Sequence, residues 1–376
     1  MDLNTYRKEI DQIDDQIVRL FQERMDVAAK IAEYKKAQGM PILQPARERE
    51  KLTEVSEKSR EDMQSYMRVL YSLLFELSRT YQERGNRTEL FDKIENAIEN
   101  TPRLFPQTAT VACQGVEGAY SQMACEKLFK NPRVQYFRNF EGVFSAIEAG
   151  FCQYGILPIE NSTAGSVKKV YDLMVKHNFS IVRSTRMKVD HCLLAKSDHE
   201  EIKEIFSHEQ AIAQSTGFLK TLGNVKVTIC ENTAIASMMV AQSERKDVAA
   251  LSSRMCAELY GLKILRSGVQ DEGNNHTRFL CISKNAEIYP GADKTSIMMV
   301  LPHKPGALYK VLARLYALGI NLLKLESRPL PERDFEFMFY LDLETSVYSQ
   351  EFARLMCEIG GICEEFRYLG SYSEVV

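Results

Sequence analysis

Several short strings in this chain place charged or hydroxyl side chains where an ordinary core residue is expected. Near the start of the chain, Ile10, Ile13, Ile17, Leu20, Phe21, Ala28 and Ile31 recur at steps of three and four. That is the period of one helix face. Arg24 and Lys35 fall inside this apolar stripe, and Arg7 lies at its edge. A charge facing a core must be paired or must hold a ligand. These cations therefore describe a pocket for a dianion, or else solvated edges and ion pairs inside a bundle. Arg47 and Glu48 open the next helix. Ser78 and Gln82, four residues apart, share the edge of a third apolar stripe.

Further along, the string NNHTRF at 274–279 starts an apolar strand, FLCIS, after a glycine-bearing loop. Thr277 and Arg278 thus offer a hydroxyl and a guanidinium fork for a carboxylate side by side, though a threonine is also an ordinary strand residue. The polar string PIENSTAGS follows a strand at 154–160 and opens a helix. Such a turn can hold an anion through free amides, or be a plain capped helix start. A third polar string, FSHEQAIAQ, spans 206–214. Near the C-terminus, KPGALYKVLARL puts a glycine turn at a helix start, and ESRPLP ends the following strand. Free amides there could bind a carboxylate, or simply begin a helix.

The elements that must carry these residues fall into three segments. Residues 1–88 read as a long helix ended by Gly39 and Pro41, a short charged helix from about Arg47 to Lys58, and a third from about Asp62 to Glu83, closed by Gly85. Tyr66, Leu70, Leu73, Leu74, Leu77 and Tyr81 form the third helix's inner face. Helices this unequal bury poorly alone, so an intertwined dimer is expected. A polar stretch over 86–107 leads to a second segment, 108–284, where short apolar runs alternate with helical patterns. That alternation predicts an α/β domain with mostly parallel sheet, in two lobes around a cleft. The third segment, 294–372, reads βαββαβ, a ferredoxin-like α+β order.

Composition narrows the function classes. With 376 residues the chain needs two or three domains. A net charge of −3 leaves no basic field for nucleic acid or anionic lipid. The start, MDLNTYRKEIDQIDD, has no apolar signal core, and no apolar run is long enough to span a membrane. The expected location is the cytoplasm. The nine cysteines show no CxxC spacing and read as small buried hydrophobes; the six histidines are dispersed. No metal or cofactor is expected.

The first segment resembles the all-helical chorismate mutases. That family's Arg, Arg, Lys pattern on the long helix is met by Arg7, Arg24 and Lys35, its Arg-Glu pair by Arg47 and Glu48, and its Ser and Gln by Ser78 and Gln82. An acidic residue common just before the Arg-Glu pair is Gln44 here. The resemblance implies that Arg24, with Arg7 from a partner protomer, grips the chorismate carboxylates, helped by Arg47 and Ser78. Lys35 and Gln82 would donate to the ether oxygen, and Glu48 would accept from the hydroxyl. The middle segment resembles the prephenate dehydratase domain, with CQGVEGAYSQMA at its start and TRF as signature. This implies Thr277 as the essential residue, Asn161, Ser207 and Gln214 lining the site, and Arg278 and Phe279 completing the motif, with Arg278 on a substrate carboxylate. His208 carries no assigned role. The same fold is similar to two-lobed solute-binding proteins, so a binding module is the rival class. The last segment resembles ACT domains of phenylalanine-inhibited dehydratases, whose GAL and ESRP motifs are met by Gly306, Ala307, Leu308 and by Glu326, Ser327, Arg328, Pro329. Phenylalanine as allosteric inhibitor and a homodimer or tetramer are then expected. A mutase fused to a dehydrogenase would need a G-x-G-x-x-G turn, which the sequence lacks. The other alternative is a mutase carrying a non-catalytic phenylalanine-binding module.

Overall fold

Thirty-five residues without glycine or proline form one helix, α1 (Leu3–Ala37), in the computed structural model. Asp2 caps it, accepting from the Thr5 amide at 2.9 Å, and Gly39 in the left-handed region turns the chain away. α2 (Pro45–Lys58) starts on a proline, whose missing N–H costs nothing there. A 3₁₀ turn at Glu61–Met63 leads into α3 (Gln64–Glu83), against which both earlier helices pack. Met25, Ala28 and Val55 are buried, but Ile10, Ile13, Ile17, Leu20 and Ile31 are 44–57% exposed in the single chain. Tyr66, Leu70 and Leu73, expected on the inner face of the third helix, are exposed as well.

The structure describes residues 2–42, 44–83, 89–197, 201–330 and 336–376, so Gly85 lies outside the described residues. The chain divides into two units, Met1–Asp92 with Ala353–Ile362, and Lys93–Phe352 with Cys363–Val376. The stretch expected to be a polar connection holds a helix, α4 (Glu89–Asn100). Its apolar residues Leu90, Phe91, Ile94, Ala97 and Ile98 keep helical spacing, and Ile94 and Ala97 are buried.

In the second unit, one lobe contains β1 (Thr110–Gln114), α5 (Tyr120–Leu128), β2 (Arg133–Phe137), α6 (Phe140–Glu148), β3 (Tyr154–Asn161), the short β4 (Gly165–Ser166), α7 (Lys168–Lys176) and β5 (Ser180–Lys188). The chain then crosses to a second lobe: β6 (Cys192–Ala195), β7 (Glu204–Ser207), α8 (Glu209–Ala213), α9 (Thr216–Thr221), β8 (Lys226–Ile229), α10 (Thr233–Gln242), β9 (Val248–Ser252), α11 (Arg254–Tyr260) and β10 (Lys263–Ser267). It returns as β11 (His276–Ser283), which inserts between β3 and β5. The expectation of a mostly parallel sheet is corrected here. β1 is parallel to β2 and β3, but β11 runs antiparallel to both its neighbours, because it enters from the other lobe.

The remainder is β12 (Lys294–Val300), α12 (Ala307–Ala317), β13 (Asn321–Pro329), β14 (Phe337–Glu344), α13 (Gln350–Gly360) and β15 (Glu365–Val375). The order β13-β14-β12-β15, all antiparallel, is the ferredoxin-like arrangement. β15 then runs on to pair parallel with β5 at Ser373–Val375, so this sheet and the first lobe's sheet are continuous. The join passes Gly370, where a Cβ would sit 2.2 Å from the Ile181 carbonyl oxygen; only glycine fits. One core serves both parts, with Leu157 and Tyr171 packed among the same residues as Met298, Met338 and Tyr372.

Candidate active sites

In the helical unit, six of the seven residues singled out from sequence line one cavity of about 630 Å³: Arg24, Lys35, Arg47, Glu48, Ser78 and Gln82. Arg24 donates to the Leu74 carbonyl at 3.2 Å and to Ser78 Oγ, and lies 5.9 Å from the Phe75 ring centre. Burial pulls its pKa below the usual arginine range, yet a guanidinium remains a cation at any physiological pH. Lys35 Nζ donates to the Ile42 carbonyl at 2.6 Å. Arg47 is exposed and pairs with Glu50 at 2.6 Å. Gln82 Oε1 is buried and accepts no hydrogen bond from the described residues. Gln44, in the place of the expected acid, is the N-cap of α2 and lines the same cavity. Arg7 does not join them. It lies seventeen positions before Arg24 on α1, about 25 Å along the axis at 1.5 Å per residue, and is exposed.

Arg79 is a lining residue that the sequence reading missed; it donates to Glu48 Oε1. One position past Ser78 it turns 100° off the apolar stripe and reads as solvent-facing. α2 packs on α3 and makes that side an inner one too.

In the second unit a cleft of about 330 Å³ lies between the lobes. The first lobe contributes Asn161, Thr277 and Phe279, and the second contributes His208, Gln210 and Gln214. The first residues of α5 and α10 also line it, so the positive ends of two helix dipoles stand at the cleft. Asn161, 8% exposed, organises this wall. Its Nδ2 donates to Thr277 Oγ1 at 2.9 Å and to Asn275 Oδ1 at 2.7 Å. Its Oδ1 accepts from the amides of Thr163 and Ala164 at 3.1 and 2.9 Å. Those amides are therefore not free for an anion, and the string forms a turn into β4 rather than the start of a helix. Gln214 Nε2 donates to Thr163 Oγ1 at 2.9 Å, and its Oε1 accepts from Asn275 at 3.0 Å. A second hollow of about 320 Å³ opens beside Thr163, Gln214 and Asn275.

Two expectations fail on geometry. Ser207 is fully buried in β7, and its Oγ donates to the Leu251 carbonyl at 2.7 Å, away from the cleft. Arg278 does not share the face of Thr277, because successive strand residues point to opposite sides. It is buried against Asp342, to which it donates at 2.5 Å, and cannot hold a carboxylate in the cleft. Asn275 and His191 were missed. His191 is 3% exposed, its Nε2 is 3.2 Å from Gln214 Oε1, and its Nδ1 has no partner among the described residues. Burial lowers its pKa, and that of His208, below 6.5.

A third hollow, about 340 Å³, is lined by Gly306, Ala307 and Leu308 with His303, Tyr309 and Phe337. Gly306, φ 83°, caps α12 in the left-handed region. The ESRP residues stand on β13, outside this hollow's lining. Glu326 accepts from Ser166 at 2.6 Å and Arg328 Nε donates to Asp172 at 2.8 Å.

Two family models match the chain: chorismate mutase type II over residues 6–83 and prephenate dehydratase over 111–287. A bifunctional chorismate mutase/prephenate dehydratase of Aquifex aeolicus is 32% identical over 100% of this chain and 99% of its own. The chain belongs to the bifunctional chorismate mutase/prephenate dehydratases. Among solved structures, a prephenate dehydratase from Arthrobacter aurescens in complex with L-Phe is 26% identical, covers 70% of this chain and 90% of its own, and superposes with a TM-score of 0.65. A protein described as a novel type of quorum quenching acylase is 32% identical, covers 71% of this chain and 98% of its own, at a TM-score of 0.65. As a member of this family the protein catalyses two reactions of aromatic amino acid biosynthesis, chorismate to prephenate and prephenate to phenylpyruvate. The helical cavity belongs to the mutase match and Thr277 to the dehydratase match.

Proposed function

We propose that the mutase acts by clamping, with no acid, base or nucleophile. The rearrangement needs the reactive conformer held and charge separation stabilised. Arg24, with Arg47 and Ser78, holds the carboxylates in forks. Lys35 and Gln82 donate to the ether oxygen as it gains negative charge, and Glu48 accepts from the ring hydroxyl. Arg7 enters from a partner protomer, whose α1 covers the exposed isoleucine stripe. The protein is then a homodimer or a pair of dimers, working in the cytoplasm. The domains are 1–88 for the mutase, 108–284 for the dehydratase and 294–372 for an ACT-type sensor.

For the dehydratase, the carrying observation is the bond from Asn161 Nδ2 to Thr277 Oγ1 at 2.9 Å. Because Asn161 donates, the Thr277 hydroxyl keeps its own proton for another acceptor. Thr277 gives that proton to the departing ring hydroxyl as the C–O bond breaks. The electrons come from the C–C bond to the leaving carboxylate, which departs as CO2, and the ring becomes aromatic. Asn161 stabilises the oxygen left on Thr277 until solvent reprotonates it. Gln214 and Phe279 orient the substrate.

Phenylalanine binds at Gly306, Ala307 and Leu308, with Glu326, Ser327, Arg328 and Pro329 of a neighbouring sensor domain as the facing wall, and inhibits the dehydratase. The Arthrobacter relative, solved in complex with L-Phe, supports this reading. The test supplies chorismate alone and follows prephenate and phenylpyruvate with and without phenylalanine. Phenylpyruvate that falls on adding millimolar phenylalanine is the expected result. Unchanged phenylpyruvate would remove the sensor.

A further inference from the structure

The dehydratase cleft must take a dianion, yet none of the described residues lining it is a lysine or arginine, and Glu231 adds a negative charge. Burial holds its two histidines, His191 and His208, below 6.5, so neither supplies a cation at neutral pH. Arg278, beside Thr277 in sequence, is turned to the opposite face. The two helix N-termini carry only partial charges.

A cation does reach the edge of this cleft, through Glu231. Arg138 lies between β2 and α6 of the first lobe, and Glu231 between β8 and α10 of the second. Arg138 Nη2 donates to Glu231 Oε1 at 2.6 Å, a bridge from lobe to lobe. The backbone under Arg138 is pinned. The Gly115 amide donates to the Phe137 carbonyl at 2.8 Å, Gln114 Nε2 donates to the Arg138 carbonyl at 3.4 Å, and Asn139 caps α6. Glu231 immediately precedes Asn232, the cap of α10. The two side chains are 81% and 54% exposed. An ion pair this open to water adds little to stability, so Arg138 can exchange Glu231 for another carboxylate at little cost. Glu231 is then left beside the positive end of α10, which tolerates a carboxylate.

We propose that Arg138 is a specificity-determining residue of the dehydratase, a guanidinium that leaves Glu231 to hold the side-chain carboxylate of prephenate. Prephenate carries two carboxylates, one on the ring and one on its pyruvyl side chain. The ring carboxylate departs as CO2, and a cation placed on it would stabilise the substrate more than the transition state. The side-chain carboxylate persists into phenylpyruvate, so a guanidinium can hold it throughout without slowing the reaction. Arg138 takes this role on the reading that the dehydration occurs in this cleft with Thr277 as the acid. It supplies the positive charge that the Thr-Arg-Phe motif first implied for Arg278.

The test uses the full chain with prephenate as substrate and phenylpyruvate as added inhibitor. Arg138→Met should raise KM about tenfold or more, with kcat within about twofold of wild type, because the contact is the same in ground and transition states. Inhibition by phenylpyruvate should weaken by a similar factor, since product and substrate share that carboxylate. Arg138→Lys, a point charge without the fork, should recover part of the KM. The paired variant Arg138→Met/Glu231→Gln separates holding the substrate from merely cancelling Glu231, and its KM should stay raised. Wild-type KM in Arg138→Met overturns the proposal, and so does wild-type KM in the paired variant. A fall in kcat with KM unchanged overturns it equally. If Thr277→Ala keeps its activity, the site assignment itself falls. If Thr277→Ala is inactive and Arg138→Met has the wild-type KM, only the role of Arg138 falls.

Discussion

The amide of Asn161 touches Thr277, Asn275, Thr163 and Ala164. A side chain with both its atoms committed cannot swing to meet a substrate, so it holds Thr277 rather than replacing it. Asn161→Asp should therefore cost the dehydratase about a hundredfold, because a carboxylate accepts where Asn161 donates and would draw off the Thr277 proton. Steady-state phenylpyruvate formation reads this. In the mutase cavity Gln82 carries no charge, so mutase kcat should stay flat between pH 5 and 9. Gln82→Glu should make it rise toward acid, where the new carboxyl regains a proton to donate. The buried histidines give stability a pH dependence. His191 and His208 have folded pKa values below their ordinary 6.5. Between the two values the unfolded chain binds more protons, so stability falls as pH drops below about 6.5. His191→Gln should flatten that slope in a melting-temperature series from pH 7 to 5. Residue types such as Arg24, Lys35 and Thr277 were legible in the sequence because a cation in an apolar stripe, or a recognisable motif, breaks a pattern. Arg278 and Ser207 were misplaced because adjacency along a strand is not adjacency in space. Asn275 and His191 sit in the lobe crossings, where no period marks them.

At the scale of elements, α1 makes the clearest demand. On the proposed dimer, its exposed isoleucines and its distant Arg7 have one explanation, a second α1 laid along the first. Ile17→Glu should convert the species seen in sedimentation to monomer and reduce mutase kcat by about a hundredfold or more, through loss of Arg7 as well as of packing. Dehydratase activity on added prephenate, from a different unit, should survive. Helix and strand positions were largely readable from period: α1, α3, β1, β3 and β11 fall where spacing put them. α4 was missed because its acids masked an apolar face. The pairing of β11 was not readable at all, since periodicity gives a strand its faces but not its partners.

Across the whole second unit, β12, β15, β5 and β11 form one continuous sheet that joins the ferredoxin-like domain to the strand carrying Thr277. Phenylalanine binding, if it favours one seating of the ferredoxin-like domain, must by linkage alter prephenate affinity by the same factor that prephenate alters phenylalanine affinity. Calorimetric titration of phenylalanine with and without an unreactive prephenate analogue should give matching factors. The sequence outlined a separate terminal domain ending near residue 372, but the last three paired residues, Ser373–Val375, belong to the dehydratase sheet. Deleting them should cost dehydratase activity although they lie outside both recognisable motifs.

In the proposed mechanism Thr277 supplies the proton for dehydration and nothing to the rearrangement. Purified Thr277→Ala should be given chorismate, with prephenate and phenylpyruvate followed together. Chorismate should disappear at the wild-type rate and prephenate accumulate in equal amount, with phenylpyruvate down by about a thousandfold. Phenylpyruvate formed at near the wild-type rate would contradict it.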